Sequence, residues 1–474
     1  MFPKDQAPTL EEPPVVRRLA ILNDYVRIPY ANGSSFASQF LYREFKRRGA
    51  QVTVVGPADP SAEPEELPPG SVCIRSLPFR SHPGVYFTLP DARAQEQLRD
   101  ADADLMLAQT GSGLINIGVW LRRAARVPLV CVNTIHLPSV YDVLLPSWLH
   151  GRRWAHKVFE RWIIPWAERM AAELYNDGDG LVVLSQGLKR YWRERGVKVP
   201  IFVIPRSVEP KVFDQGPLEN PFPAQCVKGE RLLMVCRHTR EKNVRRMLEL
   251  FAKEIVPRMP NATLTLVGDG PDHDEFKEVA RQNGVSEKCI FPGEVSLLDV
   301  PSWYQHADLF VYSSLSETYG QVVSEALWCG LPVVAFHDDK GVADQIKHGE
   351  DGFLVRPEKP SSDAEFASAV LGLLQDDERR RTFGECASRN TRLRADPNVC
   401  IQRYEEAAAQ VMSEMRSADV PTGWFRRSLP LARMTFLTLL VTGLGCFRAP
   451  AQLNRHGRKP PVWDLPESDT RTCD

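Results

Sequence analysis

Two glutamates eight positions apart, Glu317 and Glu325, flank a predicted helix start. The segment between them passes through Tyr319 and Gly320 into an apolar run that is typical of a helix. A helix start presents unpaired backbone N–H groups and a positive dipole end, so it suits a diphosphate. The flanking carboxylates would repel phosphate, but they can accept hydrogen bonds from hydroxyl groups. A ligand with a phosphate centre and hydroxyls on both sides is a nucleotide sugar.

The rest of the sequence predicts two α/β units that would position this segment. In both halves, runs rich in β-branched residues alternate with amphipathic stretches, which is typical of parallel sheets covered on both faces. The predicted strands of the first half are 18–23, 51–56, 104–108, 127–133 and 180–184. Those of the second half are 231–236, 262–267, 290–293, 309–312 and 331–335. Two such doubly wound units bind ligands at the carboxyl ends of their strands, in the cleft between them.

Five parts are predicted along the chain. They are a disordered lead-in at 1–17, two Rossmann-like domains at 18–206 and 207–397, a crossover helix at 398–420, and an amphipathic tail at 421–474. The lead-in is acidic and proline-rich with no apolar core, so it does not resemble a secretory signal.

Composition places the chain among globular proteins. It has 474 residues, 43% of them apolar and 25% charged, with a net charge of −1. Nothing in this balance indicates a nucleic-acid partner. The 10 cysteines show no paired CxxC spacing, which favours a reducing cytoplasm over a disulfide framework or a zinc site.

The tail contains a short apolar run, 434–447, with arginines on both sides. A run of this length falls short of the ~20 residues that a spanning helix needs. Two interpretations stay open. The run is either an interfacial helix on an anionic membrane surface or a helix packed against one of the domains.

With these motifs the chain resembles the retaining GT-B glycosyltransferases of family four, over about residues 18–412. The segments that carry the resemblance are Cys236–Asn243, Leu264–Pro271, Ala307–Ser314, Ser316–Ala335 and Gly349–Val355. The resemblance implies an α/β fold of GT-B architecture, in which two parallel-sheet domains face each other across a cleft. The first domain would bind the acceptor, and the second would bind the nucleotide-sugar donor.

Donor-binding roles follow from the resemblance. Glu317 would accept hydrogen bonds from hydroxyls of the donor sugar, and Glu325 from those of the ribose. The backbone amides of Tyr319, Gly320 and Gln321 would face the diphosphate. Gly268 belongs to the glycine-containing turn that the family places in the same site. The competing interpretation of the glutamates is a pair of solvated acids at a helix start.

Arg237 and Lys242 would hold the diphosphate directly after a strand. Negative charge builds on the leaving group as the sugar–phosphate bond breaks, so fixed cations would stabilise the transition state. The alternative is a solvated surface loop. Cys236 and Asn243 depart from the family pattern, which has glycine at both positions.

The first domain contributes two weaker candidates. His136 follows a strand, and by resemblance it contacts the donor sugar and assists the chemistry. Gly33 would let its loop approach the phosphates closely because it lacks a Cβ atom. The alternatives are a structural histidine and a simple turn.

Two Asp-x-Asp triplets require a check, because another glycosyltransferase fold uses this pattern to hold a divalent cation. Asp102-Ala-Asp104 precedes a strand, and Asp272-His-Asp274 opens a helix, where acids favour the dipole. With two cations available at the diphosphate, we expect no metal or other cofactor. Asp344 is predicted to be a helix-start acid.

The sequence therefore predicts an enzyme that retains anomeric configuration while moving a sugar from a nucleotide diphosphate to an acceptor hydroxyl. Aromatic clusters at 78–79, 86–87 and 144–148 favour a lipid-linked acceptor at the cytoplasmic membrane face, as in glycolipid-forming members of the family. The alternative is a soluble sugar or sugar-phosphate acceptor. A non-catalytic sugar-nucleotide-binding protein is a further alternative. A dinucleotide-dependent oxidoreductase is disfavoured, since no GxGxxG follows the first strand.

Overall fold

The computed structural model describes residues 15–25, 33–58, 67–78, 86–109, 113–134, 136, 152–224, 229–315, 317–417, 429–436 and 439. Within these residues the chain forms two parallel sheets, each covered by helices. The predicted lead-in is described only from residue 15 onward. The aromatic segment 144–148, Phe79 and the loop residues 29–32 lie outside the described ranges.

The first domain is built on a seven-stranded sheet in the order β3-β2-β1-β6-β7-β8-β9. Its strands are β1 (Arg18–Leu22), β2 (Gln51–Pro57), β3 (Val72–Ile74), β6 (Leu105–Ala108), β7 (Leu129–Val132), β8 (Gly180–Val183) and β9 (Ile201–Val203). A separate antiparallel ribbon pairs β4 (Ser76–Pro78) with β5 (Tyr86–Thr88). The helices are α1 (Gly33–Arg47), α2 (Ala92–Asp100), α3 (Gly113–Ala125), α4 (Arg153–Val158), α5 (Ile164–Asn176) and α6 (Gln186–Glu194). A π-helical turn, Phe159–Ile163, joins α4 to α5.

The second domain is built on a six-stranded sheet in the order β12-β11-β10-β13-β14-β15. Its strands are β10 (Arg231–Val235), β11 (Thr263–Val267), β12 (Cys289–Gly293), β13 (Leu309–Tyr312), β14 (Val333–Phe336) and β15 (Gly352–Val355). The helices are α7 (Pro210–Phe213), α8 (Val244–Leu250), α9 (His273–Gln282), α10 (Val300–His306), α11 (Gln321–Trp328), α12 (Ser362–Leu374) and α13 (Asp377–Ala395). A π turn, Phe251–Ile255, extends α8, and Arg240–Lys242 and Ser286–Lys288 form 3₁₀ turns.

The strand order explains where a ligand can bind. The central strands β11 and β13 are buried along their whole length, because helices cover both faces of the sheet. In the second sheet the chain runs outward from β10 to β12 and then returns to β13 on the other side of β10. The connections after β10 and β13 therefore run in opposite directions, which leaves a crevice at the carboxyl ends of these two strands. The predicted architecture of two parallel-sheet α/β domains is confirmed.

A last long helix, α14 (Pro397–Ser417), returns to the first domain. Ile401, Tyr404 and Val411 join the core that contains Ile21 and Val182 of the first sheet. The helix thus crosses from the second domain and ties the two domains together.

The described part of the tail packs on the first domain. Residues 429–436 are helical, and Met434 is fully buried in the core of the first domain. Arg433 donates hydrogen bonds of 2.8 Å to the side-chain oxygens of Asn116 and Asp177. These contacts favour the packing interpretation for this part of the run, whereas 437–438 and 440–447 lie outside the described residues. No helix in the described part of the chain is both long and apolar enough to cross a bilayer.

Candidate active site

Lys242 and Glu317 contact each other at the crevice of the second sheet. The Nζ atom of Lys242 lies 2.5 Å from Oε1 of Glu317. The two residues follow β10 and β13, whose neighbouring carboxyl ends bring them together across 75 positions of sequence. Their side chains keep only 20% and 11% of their surface exposed, so the contact is largely shielded from water.

One oxygen of Glu317 receives every hydrogen bond that the carboxylate makes with the described residues. Tyr312 Oη donates to Oε1 over 2.8 Å and Ser314 Oγ over 2.7 Å, in addition to Lys242. Oε2 has no such donor among the described residues. A carboxylate held rigidly through one oxygen can therefore offer the other to a ligand hydroxyl.

Burial and charge act in opposite directions on this pair. Burial would raise the pKa of Glu317, but the Lys242 charge and the hydrogen bonds from Lys242, Ser314 and Tyr312 lower the pKa overall. Burial would lower the pKa of Lys242, and the charge of Glu317 raises it overall. Both groups are therefore ionised at neutral pH, as an electrostatic role requires.

Glu325 lies in a different environment, although it belongs to the same segment. Its carboxylate is buried on α11 and accepts a 3.0 Å hydrogen bond from Tyr304 Oη. Burial raises the pKa of Glu325 to about 7, against the opposing effect of hydrogen bonds from Tyr304 and Gln321. Among the described residues, no cation contributes to this shift. Glu325 is thus partly protonated at neutral pH rather than fully ionised.

Gly320 sets the start of α11. Its backbone has φ +82° and ψ 61°, a left-handed conformation that favours glycine. The Gln345 side-chain amide donates to the carbonyl oxygens of Tyr319 and Gly320, which fixes the turn. The helix therefore begins at Gln321, one or two residues after the predicted start near Tyr319 or Gly320, and its first N–H groups lack partners inside the helix. The Gln321 side chain instead donates to the Ser207 carbonyl, 3.0 Å away in the interdomain segment.

Gly268 and Arg237 lie on adjacent loops. Gly268 has φ +133°, and a Cβ atom there would overlap the carbonyl oxygen of Cys236. This glycine therefore allows the loop after β11 to pack against the loop that carries Arg237. The Arg237 guanidinium is half-buried and makes no hydrogen bond or ion pair with the described residues, so its charge is available to a ligand. A direct donor contact of Gly268 stays a prediction.

Asn243 explains one departure from the family pattern. Its backbone has φ +57° and ψ 31°, again left-handed. Glycine is the usual residue in this conformation, and asparagine is among the few others that adopt it readily. Its side-chain amide also donates to the Ser313 carbonyl over 3.2 Å. The substitution thus preserves the backbone turn that follows Lys242.

His136 lies where the two domains meet. Its ring centroid is 5.3 Å from that of Tyr191. Burial, followed by the charges of Lys340 and Arg195, lowers the pKa of His136 to about 3. Nearby, Thr318 Oγ1 of the second domain donates to the Thr134 carbonyl over 3.4 Å. His136 is therefore a neutral imidazole that the second domain approaches.

Gly33 begins α1, at the edge of a loop that lies outside the described residues. Its phosphate role stays a prediction.

Asp344 is predicted to be a helix-start acid, but it lies in a turn, and the helix start that it contacts belongs to the other domain. Its carboxylate accepts hydrogen bonds from the backbone N–H groups of Gln186 and, over 3.3 Å, of Gly187. These groups open α6 in the other domain, where a negative charge is favourable. The residue is thus a clamp between domains, which a local pattern could not reveal.

Arg206 was missed by the sequence reasoning. It follows β9 in the interdomain segment, and its charge acts on Tyr404, Tyr319 and Glu317. Burial lowers its pKa, and Nε is buried without a hydrogen-bond partner. The available signal was an arginine directly after the apolar, proline-containing stretch Val203–Pro205. Arg206 adds a third positive charge near the crevice.

The two Asp-x-Asp triplets have other surroundings. Asp102 and Asp104 both form ion pairs with Arg18, at 2.5 Å and 3.0 Å. Asp272 precedes α9 and lies 3.9 Å from the Arg240 guanidinium. In the described ranges no three His, Cys, Asp or Glu side chains gather as a metal site would require.

Both domains are similar to known glycosyltransferases. Residues 32–212 match the model of Glycosyltransferase Family 4, and residues 223–390 match that of Glycosyl transferases group 1. An alpha-monoglucosyldiacylglycerol synthase of Streptococcus pneumoniae is 24% identical over 67% of this chain and 70% of that protein. Sulfoquinovosyl transferase SQD2 of Arabidopsis thaliana is 25% identical over 87% of this chain and 75% of that protein.

The fold also matches solved structures. The crystal structure of HepE from Anabaena in complex with UDP superposes with a TM-score of 0.62 at 19% identity, covering 83% of this chain and 100% of that one. The predicted GT-B architecture is therefore confirmed. Both halves of the chain match glycosyltransferase family models. The chain belongs to the group 1 glycosyltransferases and is a hexosyltransferase that uses a nucleotide-sugar donor.

Proposed function

We propose that this enzyme retains anomeric configuration and transfers a sugar to a hydroxyl of a lipid-linked acceptor at the cytoplasmic membrane face. The observation that carries the catalytic part is the 2.5 Å contact between Lys242 and Glu317, which leaves Oε2 of Glu317 without a donor among the described residues. A cation for the leaving group and an acceptor for sugar hydroxyls thus occupy one crevice.

The positive groups act on the leaving nucleoside diphosphate. The diphosphate binds at the start of α11, with Lys242 and Arg237 on its other side. As the bond between the anomeric carbon and the phosphate oxygen breaks, its electron pair stays on that oxygen. The fixed charges are worth more to this developing anion than to the intact donor. Arg206 adds to the positive potential of the same region.

Polar groups around the sugar fix its orientation. Oε2 of Glu317 accepts a hydrogen bond from a donor-sugar hydroxyl, and Glu325 accepts from the ribose. The neutral imidazole of His136 approaches the sugar from the first domain. The acceptor hydroxyl oxygen then forms the new bond to a correctly placed anomeric carbon, and its proton passes to the phosphate oxygen that keeps the electron pair of the broken bond.

Domain closure completes the site. Asp344 at the start of α6 and Thr318 at the Thr134 carbonyl hold the two domains against each other. A closed cleft excludes water, which would otherwise hydrolyse the donor. With three positive groups near the diphosphate, the proposed reaction uses no metal or other cofactor.

Two observations support a lipid-linked acceptor over a soluble sugar or sugar phosphate. The relative from Streptococcus pneumoniae is named for a glucosylated diacylglycerol. Tyr86 and Phe87 form a half-buried aromatic pair on β5, within the predicted acceptor domain. A soluble acceptor is the second candidate.

A panel of nucleotide sugars tests the proposal. We expect one donor to release its nucleoside diphosphate only when lipid extract is added, with the anomeric configuration retained in the product by NMR and no loss of rate in EDTA. Release that depends only on soluble sugars would support the second candidate. An inverted product, or a rate abolished by EDTA and restored by manganese, would contradict the proposed mechanism.

A further inference from the structure

A row of large apolar side chains is exposed on the helix of the first domain formed by α4, the π turn and α5. Trp154, Val158, Trp162 and Trp166 recur at four-residue intervals and are 57%, 42%, 67% and 49% exposed. Ile163 lies beside them and is 41% exposed. We refer to these five residues as the tryptophan face.

The local helix geometry keeps the tryptophan face in line. On a regular α-helix of 3.6 residues per turn, side chains four positions apart drift steadily around the axis. The π turn Phe159–Ile163 has more residues per turn, so it turns back part of this drift. The opposite side of the same helix is buried through Ala155, Ile164 and Glu168. The helix therefore has two faces, and its most aromatic face points to solvent.

Such a face is unusual for a protein surface. Tryptophan buries most of its area in globular proteins, and contiguous exposed apolar patches mark interaction sites. Tryptophan has an apolar ring body and a polar N–H, and it is enriched at the interface between bilayer and water. The side-chain chemistry therefore fits the headgroup region of a membrane.

The charges around the tryptophan face identify the kind of membrane. Arg152, Lys157, Arg161 and Arg169 are exposed on this helix and just before it, whereas Glu160 is the exposed acid among residues 152–169. This excess is local, because the chain as a whole has a net charge of −1. A basic and aromatic helix surface is complementary to anionic headgroups.

The same helix reaches the catalytic cleft through its buried side. Glu168 accepts a hydrogen bond from Tyr191 Oη and forms a 2.8 Å ion pair with Arg195. The Tyr191 ring packs against His136. Tyr191 thus connects the buried side of this helix to His136, so a membrane bound to the tryptophan face would lie on the first-domain side, where the acceptor is proposed to bind.

We propose that the tryptophan face is the surface by which this enzyme binds an anionic lipid bilayer. The inference deepens the proposed membrane-face function, but it names a different surface from the predicted tail. In the tail, Arg433 is already paired with Asp177, and Met434 is buried. The described tail residues are therefore less available to lipid than the helix.

Vesicle sedimentation of the full chain tests the proposal. The vesicles contain either equal parts of phosphatidylglycerol and phosphatidylcholine or phosphatidylcholine alone. We expect the wild type to bind the anionic vesicles more tightly, and the triple variant Trp154→Ser, Trp162→Ser, Trp166→Ser to lose at least about tenfold in affinity. The pair Lys157→Glu, Arg161→Glu should lose at least about fivefold and the preference for phosphatidylglycerol.

A matched control replaces exposed leucines of the second domain. Leu393 and Leu298 are 72% and 48% exposed, and the variant Leu393→Ser, Leu298→Ser should bind vesicles like the wild type. Thermal unfolding of every variant shows whether the fold is intact. Vesicle affinity of the folded triple variant equal to that of the wild type would overturn the proposal, as would a wild type that sediments with neither vesicle.

Two further measurements distinguish membrane binding from self-association and from the choice of acceptor. Self-association that the triple substitution abolishes, with vesicle binding unchanged, would show that a second copy covers the face and would also overturn the proposal. Transfer to lipid and to soluble acceptors is assayed separately. A wild type that binds vesicles through the tryptophan face but glycosylates only soluble acceptors would contradict the proposed acceptor and leave the surface assignment standing.

Discussion

The two sides of the catalytic cleft differ in how fully their own residues define them. On the second-domain side, Glu317, Lys242, Tyr312 and Ser314 form a closed network at the ends of two neighbouring strands. On the first-domain side, His136 rests against Tyr191 and approaches the second domain. The proposed donor side therefore carries its own electrostatic network, whereas His136 on the proposed acceptor side is influenced by Lys340 of the second domain.

A similar contrast exists within the donor segment itself. Glu317 and Glu325 are both buried, yet Lys242 lowers the pKa of the first, and burial raises that of the second to about 7. Lys242 therefore keeps Glu317 ionised, whereas Glu325 titrates near pH 7.

Removal of the cation should be the most damaging change. We expect Lys242→Ala to lower kcat/KM by about 30- to 1000-fold, or ~2–4 kcal/mol, because the leaving group loses a fixed positive charge. Steady-state kinetics with the best donor measures the effect. Lys253→Ala, which removes an exposed lysine of the same domain, should leave the rate unchanged. A near-normal rate in a folded Lys242→Ala protein would contradict the proposed role of the Lys242 charge.

Glu325 should impose a pH dependence on stability. Its pKa is raised from 4.5 to about 7, so the folded protein holds this proton more tightly than the unfolded chain. The associated stability is complete below about pH 4.5 and is lost as the pH rises through about 7. As the pH rises from about 5 to about 8, the free energy of unfolding should fall for the wild type. We expect it to fall by about 1–3 kcal/mol less for Glu325→Gln.

Denaturant titrations at several pH values measure this difference. The exposed Glu287→Gln is the control and should follow the wild type. Parallel curves for wild type and Glu325→Gln would show that Glu325 is not the titrating group.

Substitution of His136 should have a moderate and pH-independent effect. Because burial lowers the pKa of His136 to about 3, the imidazole stays neutral between pH 5 and pH 8. We expect His136→Asn to lower kcat about three- to tenfold at both ends of that range, as for the loss of one neutral hydrogen bond. His306→Asn, in the second domain, serves as the control. A wild-type rate step near pH 6.5 that disappears in His136→Asn would contradict the neutral assignment.

Loss of the interdomain clamp should have the smallest effect. Asp344→Asn removes a negative charge from the start of α6, and we expect KM for the donor to rise about two- to fivefold. The matched variant Asp377→Asn changes an exposed acid at the start of α13 and should have no effect on KM. Equal KM values for Asp344→Asn and wild type would mean that the clamp does not contribute to closure.

The sequence predicted the elements that have a strong local pattern. The β-branched runs predicted the main strands, and the Tyr319–Gly320 turn predicted the start of α11 within two residues. The meeting of Lys242 with Glu317 was also predictable, because adjacent parallel strands bring their carboxyl ends together.

What the sequence did not reveal depends on contacts between distant elements. Asp344 meets Gln186 across 158 positions, and the Arg433 side chain meets Asn116 across 317. No periodicity encodes such pairs. The tryptophan face was hidden for a related reason, since a tryptophan-rich helical pattern fits a buried face as well as an exposed one.

Calorimetry with the nucleoside diphosphate and with its sugar ester separates the proposed roles of Lys242 and Glu317. If Lys242 holds the diphosphate and Oε2 of Glu317 holds the sugar, Lys242→Ala should weaken both ligands by a similar factor. Glu317→Gln should weaken the sugar ester about tenfold or more beyond its effect on the diphosphate. An unchanged ratio of the two affinities in Glu317→Gln would contradict the proposed contact between Glu317 and the donor sugar.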